Sequence, residues 1–385
     1  MTIGFVVPQF YPDLVGGSEY YTWHMANELT KLGHTVYAFT EYGPKARTQQ
    51  EQYGSIHVLR HGSTGFWYRL KWLKNLQASL KEYPVDIFIV VDYAQNYTFQ
   101  TLAFARKNHT PVALMINDIH ALKTGRNKIK QSLLSLYDRH VAARVFDHAQ
   151  ALFVRTAWTK EYLLKNYPLD ASPIFVTPSG ITSDDLELGN SDWLKTNHTR
   201  KDTNILFFGR IRKQKGVFTL LNAFEKVKSV IPHTALVYVG PDEKEYDGLE
   251  YTPKLKKLVQ EKGLTDVHFL GPLYGKDKYD ALASASVMCL PSTFENFGQS
   301  YSQALAQKTP VIGTNAGGIP EIIDHGKDGY LIPLGNVQKL ADHLITLLNN
   351  PSLQKTMGEY GREKVLSYQY SNLAKDLSGY CSHLT

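Results

Sequence analysis

Short, continuous apolar runs, each closed by a polar loop and followed by a stretch with helical periodicity, are what most restricts the folds open to this chain. They lie at 3–7, 36–39, 85–91, 111–116, 205–208, 235–239, 267–270, 287–290 and 310–312. Runs of Val, Ile and Leu that do not alternate with polar residues read as strands buried on both faces, and strands separated by helices pair in parallel. The expected class is α/β, with doubly wound sheets. Ligands of such sheets bind outside the carboxyl ends of the strands, so the loops that follow the runs are where functional residues belong.

At 385 residues the chain exceeds one ordinary core, and two domains of roughly 180 residues each are expected. Pro178 and Gly180 break the chain after Val176, and 182–204 is polar and aperiodic. The expected layout is a first domain over 1–180, a linker over 181–204 and a second domain over 205–364. Apolar and charged fractions of 43% and 20% exclude a disordered chain. Two cysteines, Cys289 and Cys381, give neither a disulfide framework nor a metal cluster and suit a reducing compartment. The chain starts directly on a strand, without the charged opening of a signal peptide, and no apolar run reaches the ~18 residues of a membrane span. A cytoplasmic protein is expected.

Charge is uneven. Residues 1–180 carry 19 Lys and Arg against 13 Asp and Glu, while 181–385 carry 23 of each. In the stretch 66–74, Phe66, Trp67, Leu70 and Leu73 are interleaved with Arg69, Lys71 and Lys74. A second basic cluster, Lys123, Arg126, Lys128 and Lys130, follows. These segments read either as amphipathic helices packed on the sheet or as peripheral contacts to an anionic membrane, with rings at headgroup level. No RNA- or DNA-binding motif accompanies the charge, so nucleic acid is not an expected partner.

Four loops gather polar groups where strands end. Gly16, Gly17, Ser18 and Glu19 stand at a helix start; they are not GxGxxG, and they read as a phosphate cradle or as a plain cap by Ser18. The run 111–116 ends in Asn117, Asp118, Ile119 and His120, an ordinary exit turn or a site loop. Gly209, Arg210, Lys213, Lys215 and Gly216 precede a helix; without the Walker pattern they form a surface turn or a positive pocket suited to a diphosphate. The fourth stretch, 291–321, carries Glu295, Asn296, Phe297 and Gly298 in a loop, then a helix, the run 310–312, and Gly317 with Gly318. Glycines there let a ligand approach the backbone.

GRIRKQKG at 209–216, CLPSTFENFG at 289–298 and ALAQKTPVIGTNAGGIPEII at 304–323, with GGSE near the start and TPSG at 177–180, resemble the retaining glycosyltransferases of the GT-B fold, family 4. The resemblance implies two Rossmann-like domains facing across a cleft, the first on the acceptor side and the second binding the donor, with the C-terminal helix, about 365–385, crossing back to the first. It implies a metal-independent reaction with a nucleotide sugar, UDP-, GDP- or ADP-linked, as donor substrate and no other cofactor. It implies that Arg210 and Lys215 neutralise the diphosphate, that Gly16, Gly17 and Gly209 approach the donor closely, and that Glu295, with the backbone of Asn296, Phe297 and Gly298, meets the sugar. Retention then comes from front-face attack, the leaving phosphate taking the acceptor proton. Three positions depart from the family pattern: Gln303 stands where a second carboxylate holds the nucleotide ribose, Asn117 where a cleft histidine is usual, and Ser179 where Asn is common. His120 is the nearest substitute for that histidine, and Gln303→Glu is expected to raise donor affinity. The acceptor implied is a glycan or a lipid-linked molecule in envelope or polysaccharide synthesis, which fits peripheral contact at the inner membrane face. A soluble sugar or sugar-phosphate acceptor and a non-catalytic binding protein are the alternatives.

The membrane expectation has a direct check. The chain is expected to sediment with anionic vesicles at low salt and to lose that binding at high salt and in the Trp67→Ala, Lys71→Ala double variant; failure to sediment at low salt removes the membrane contact.

Overall fold

The computed structural model describes residues 1–13, 16–43, 48–64, 72–117, 138–167, 169, 173–242 and 250–385. The chain divides into two compact units, Met1–Gly180 with Tyr370–Thr385, and Ile181–Gln369.

The strands of the first unit are β1 (Thr2–Val7), β2 (Thr35–Glu41), β3 (Gln50–Tyr53), β4 (Ile56–His61), β5 (Ser63–Thr64), β6 (Trp72–Leu73), β7 (Ile87–Val91), β8 (Val112–Ile116), β9 (Ala151–Val154) and β10 (Ile174–Val176). Among the described residues eight of them form one sheet in the order β10-β9-β8-β7-β1-β2-β4-β3, and β5 and β6 make a separate hairpin. Only the outermost strand, β3, runs antiparallel to its neighbour.

The reason these strands are apolar without interruption is visible in where alternate residues go. Ile87, Ile89 and Val91 pack into one core layer, with Tyr21, Met25 and Leu29 of the helix Gly17–Lys31 and Leu373 and Leu377 of the helix Tyr370–Ser382. Phe88 and Val90 pack into the opposite layer, with Leu76 and Leu80 of the helix Leu76–Glu82 and Ala105 of the helix Asn96–Asn108. Both faces of the sheet are covered, so every position along a central strand is buried.

The second unit contains β11 (Thr203–Phe208), β12 (Thr234–Val239), β13 (Val267–Gly271), β14 (Val287–Leu290), β15 (Val311–Thr314) and β16 (Gly329–Ile332). They pair in parallel in the order β13-β12-β11-β14-β15-β16. Leu220, Leu221 and Phe224 of the helix Val217–Val230 and Leu340 and Leu344 of the helix Val337–Leu348 share its core with the strands.

Several elements differ from the sequence expectation. β3 reads QEQY and gives no strand signal, because it is a partly exposed edge with little apolar surface to bury. β10 and β16 are three or four residues long, too short to stand out from flanking loops, and β9, ALFV, is an apolar run of four that the sequence reading passed over. The C-terminal helix expected over about 365–385 is Tyr370–Ser382, set off from the preceding helix Pro351–Val365 by a 3-10 turn and an extended Gln369. The stretch 181–204, polar enough to read as a linker, belongs to the second unit: Ser183–Leu186 is helical behind a capping box on Thr182, and Asp185 and Leu194 are fully buried. Of the two basic segments, 65–71 and 118–137 lie outside the described residues. Among the described residues no helix is long and apolar enough to cross a membrane.

Both cysteines are buried and unpaired. Burial raises the thiol pKa of Cys289, on β14, far above its ordinary value and pushes that of Cys381 up to about 12. Each therefore remains a thiol at pH 8, where alkylation needs thiolate. Native protein is expected to resist a thiol reagent at that pH and to titrate two thiols only once unfolded, which a colorimetric thiol assay with and without denaturant measures.

Candidate functional site

In the second unit the chain winds from β11 through β12 to β13 on one side and returns to β14 on the other. The reversal lies between β11 and β14, and the carboxyl ends of those two strands frame the crevice that such a sheet provides. Gly209 and the half-buried Arg210 leave β11; Pro291 to Gly298 leave β14.

Tight local geometry locks these loops together. Lys213–Lys215 is a single 3-10 turn ending at Gly216, whose φ is +73°. A Cβ on Gly216 would lie 2.0 Å from the carbonyl oxygen of Pro291, so glycine is what allows the turn after β11 to touch the loop after β14. Thr293 N–H donates to Gln214 O at 2.7 Å, and Gly318 N–H donates to Glu295 O at 2.9 Å. The Glu295 loop is thereby pinned on one side to the lysine turn and on the other to the double glycine.

Lys215 Nζ lies 2.5 Å from Glu295 Oε1, which also accepts from Ser292 Oγ at 2.6 Å. Lys215 is thus not a bare cation: its charge is shared with the carboxylate across the two loops. Two helices begin beside them, Val217–Val230 behind Gly216 and Gln299–Ala306 behind Gly298, and neither start has a side-chain cap. Their first-turn N–H groups carry the positive end of the helix dipole. Asn296 is half-buried, whereas Phe297 is buried and meets Tyr368 edge-on at 5.8 Å, so it contributes backbone rather than a ring to the loop surface.

Gln303, 9% exposed, has an internal partner that the sequence does not announce. Its Nε2 donates to Asp185 Oδ1 at 3.1 Å, and Lys278 Nζ lies 3.0 Å from the same oxygen. Asp185 Oδ2 accepts from Thr182 N and Oγ1 at 2.9 and 3.0 Å. A carboxylate accepts only, so the Gln303 amide is oriented with nitrogen towards Asp185. One helical turn on, Gln307 Nε2 donates to Asp185 O and Glu187 O, each at 2.7 Å. The helix carrying Gln303 is stapled to the segment 182–189, and a carboxylate at 303 would face a buried one.

In the first unit Gly16 caps the helix Gly17–Lys31 in an extended conformation without a side-chain cap, so Ser18 does not serve as one. A Cβ on Gly17 would meet nothing within 4 Å, which leaves open space at that helix start. Asn117 follows β8, and its Oδ1 accepts from Arg155 Nε at 2.7 Å. His120 lies outside the described residues.

Arg155, Asp185 and Ser292 are the polar residues that sequence reasoning passed over. The pattern Thr182–Asp185 is a capping-box signature, and an arginine directly after the apolar residues 151–154 marks a strand exit; both signals were present. Among the described residues no group of three or more metal-ligating side chains is assembled.

Comparison with known proteins agrees with this architecture. The description "Glycosyltransferase Family 4" matches residues 15–185, and "Glycosyl transferases group 1" matches residues 193–364. N-acetyl-alpha-D-glucosaminyl L-malate synthase of Bacillus anthracis is 36% identical over 177 residues, which are 46% of this chain and 43% of that protein. The chain spans 43% to 64% of the length of the first five curated relatives that it matches. Among solved structures, sucrose-phosphate synthase from Thermosynechococcus elongatus superposes with a TM-score of 0.83 at 20% identity, covering 100% of this chain and 98% of that one. HepE from Anabaena in complex with UDP gives 0.80 at 18% identity, with both chains fully covered (100% each). At such identities the likeness establishes the fold.

The Asp185 contact gives Gln303→Glu an expected cost in stability, apart from its expected effect on donor affinity. Two carboxylates about 3 Å apart repel, and the substitution should lower the thermal unfolding midpoint by roughly 3 °C. Adding Asp185→Asn, which moves the single negative charge onto residue 303, should recover most of the loss. Scanning calorimetry on the two single variants and the double variant gives the cycle; additive losses would show that the pair does not interact.

Proposed function

We propose, for a chain that belongs to the group 1, family 4 glycosyltransferases and has their GT-B fold, that it moves a sugar from a nucleotide-sugar donor to the hydroxyl of an acceptor. The observation that carries this reading is the gathering of Arg210, Lys215, Glu295 and two helix starts without side-chain caps at the switch point of one sheet.

A diphosphate set against Arg210 and those helix starts meets fixed positive charge on several sides. As the bond from sugar to phosphate breaks, negative charge grows on the leaving oxygen, and cations already in place stabilise it without reorganising. No metal ion is required by this scheme. Glu295 holds Lys215 through Oε1, so Oε2 is the atom proposed to accept from hydroxyls of the donor sugar. Gln303, with its nitrogen given to Asp185, offers Oε1 as a single acceptor for a ribose hydroxyl. Gly16, Gly17 and Gly209 are proposed to approach the donor through backbone, as are Asn296, Phe297 and Gly298.

The transfer proposed is retaining. The acceptor oxygen bonds to the anomeric carbon on the face from which the phosphate departs, and the acceptor proton passes to the leaving phosphate oxygen. Asn117, a carboxamide, exchanges no proton near neutral pH, which is consistent with a route that needs no protein base there. The UDP of the HepE complex supports a nucleotide-sugar donor and leaves the base of this chain's donor open. The acceptor proposed is a glycan or a lipid-linked molecule of the cell envelope, reached from the cytoplasmic side with the protein peripheral on the membrane. One observation favours a second reading, a non-catalytic binding protein: Gln303 gives its Nε2 and Asn117 its Oδ1 to internal partners.

A nucleotide-sugar panel separates the two. Thermal stabilisation by one of UDP, GDP or ADP identifies the base by mass action. With the matching sugar donor the wild-type chain should release nucleotide, and Arg210→Ala and Glu295→Ala should each lower turnover by about 100-fold or more. Stabilisation by a nucleotide with no release from any of its sugars would select the binding reading.

A further inference from the structure

Three neighbouring strands of the first unit end in a row of polar residues: Asn117 after β8, Arg155 after β9 and Thr177 after β10. Arg155 is in the middle and is 3% exposed. Its Nε donates to Asn117 Oδ1 at 2.7 Å and its Nη1 to Thr177 O at 3.0 Å. The guanidinium carbon lies 3.3 Å from the centroid of the Tyr21 ring. Nη2 is buried without a hydrogen-bond partner, and so is the Tyr21 hydroxyl. Among the described residues no carboxylate pairs with Arg155; its partners are an amide oxygen, a carbonyl and a ring face.

A guanidinium keeps its charge in proteins, and a charge taken out of water without an opposite one is costly. Among the described residues, Arg60 and Asp185 are buried charges that do have such partners, Glu51 and Lys278. At Arg155 the neutral oxygens satisfy two nitrogens and leave the charge uncompensated. Because arginine only donates, it also fixes the Asn117 amide with oxygen inward and its NH2 turned away from the guanidinium. The ends of β8, β9 and β10 therefore hold one positive charge with which no described carboxylate is paired, and in low dielectric that charge acts on an anion some 4–6 Å away even without direct contact.

We propose that Arg155, with Asn117 and the Tyr21 hydroxyl, forms an oxyanion site on the first unit, for the phosphate or carboxylate of a small-molecule ligand. The proposal uses residues of the first unit alone and does not rest on the reading of the donor residues. A purely structural role, in which Arg155 only pins the Thr177 carbonyl ahead of the chain break at Gly180, is the competing account.

The test uses the full chain carrying Arg210→Ala, so that anions held by the second unit do not contribute. The thermal midpoint is titrated with inorganic phosphate and, separately, with succinate, at ionic strength held constant by chloride. A saturable rise is expected with at least one. Phosphate alone assigns a phosphate-bearing ligand, and succinate alone a carboxylate-bearing one. Arg155→Met should weaken the apparent affinity about tenfold or more. Asn117→Asp, which supplies an internal carboxylate to Nε, should raise the midpoint without added anion and abolish the response. If Arg155→Met does not fold, Asn117→Asp decides. A wild-type Arg155 chain that responds to neither anion, a response unchanged in the variants, or a lower midpoint in Asn117→Asp overturns the proposal.

Discussion

The pairing of β11 with β14 is what the candidate site depends on. These strands are far apart in sequence, and a parallel partner reaches its place only through crossover helices. Once they lie side by side, the turn carrying Lys215 and the loop carrying Glu295 leave the same edge of the sheet, and Gly216 lets the first come within contact of the Pro291 carbonyl. The ion pair of 2.5 Å between Lys215 and Glu295 is a product of that proximity. A side chain at 216 would push the two loops apart and take the ion pair with it.

Buried charge is handled in two ways in this molecule. Asp185 is saturated by Thr182, Gln303 and Lys278, so its negative charge is both hydrogen-bonded and paired. That closed network fixes the helix Gln299–Ala306 against the segment 182–189 and explains why residue 303 is neutral. Arg155 is the opposite case, a buried positive charge held by neutral groups. Closed networks give rigidity, whereas an uncompensated charge creates affinity for an ion from outside.

The fold was legible because its strongest signal is local. Runs of Val, Ile and Leu separated by helical periodicity mark the central strands β1, β7, β8, β11, β12 and β14, and the spacing of glycine with charged residues marks the loops after them. Weak edges were not legible: β3 is polar, and β16 is short and half-exposed. The site was legible in part. Arg210, Lys215 and Glu295 stand out as charges at strand exits. Nothing at Gln303 announces its bond to Asp185, since the two residues are 118 positions apart and the contact exists only once the helix and the segment 182–189 are packed.

The sequence by itself determined the class of fold, the two-part organisation and the loops in which polar groups gather, because strand periodicity, helix starts and glycine turns are set by neighbouring residues. The tertiary structure decided the partner of each polar side chain: Lys215 to Glu295, Gln303 to Asp185, Asn117 to Arg155. The physical reason is distance along the chain. Backbone preference acts over a few residues, whereas a hydrogen bond or an ion pair forms between whatever groups the packed core brings within about 3 Å.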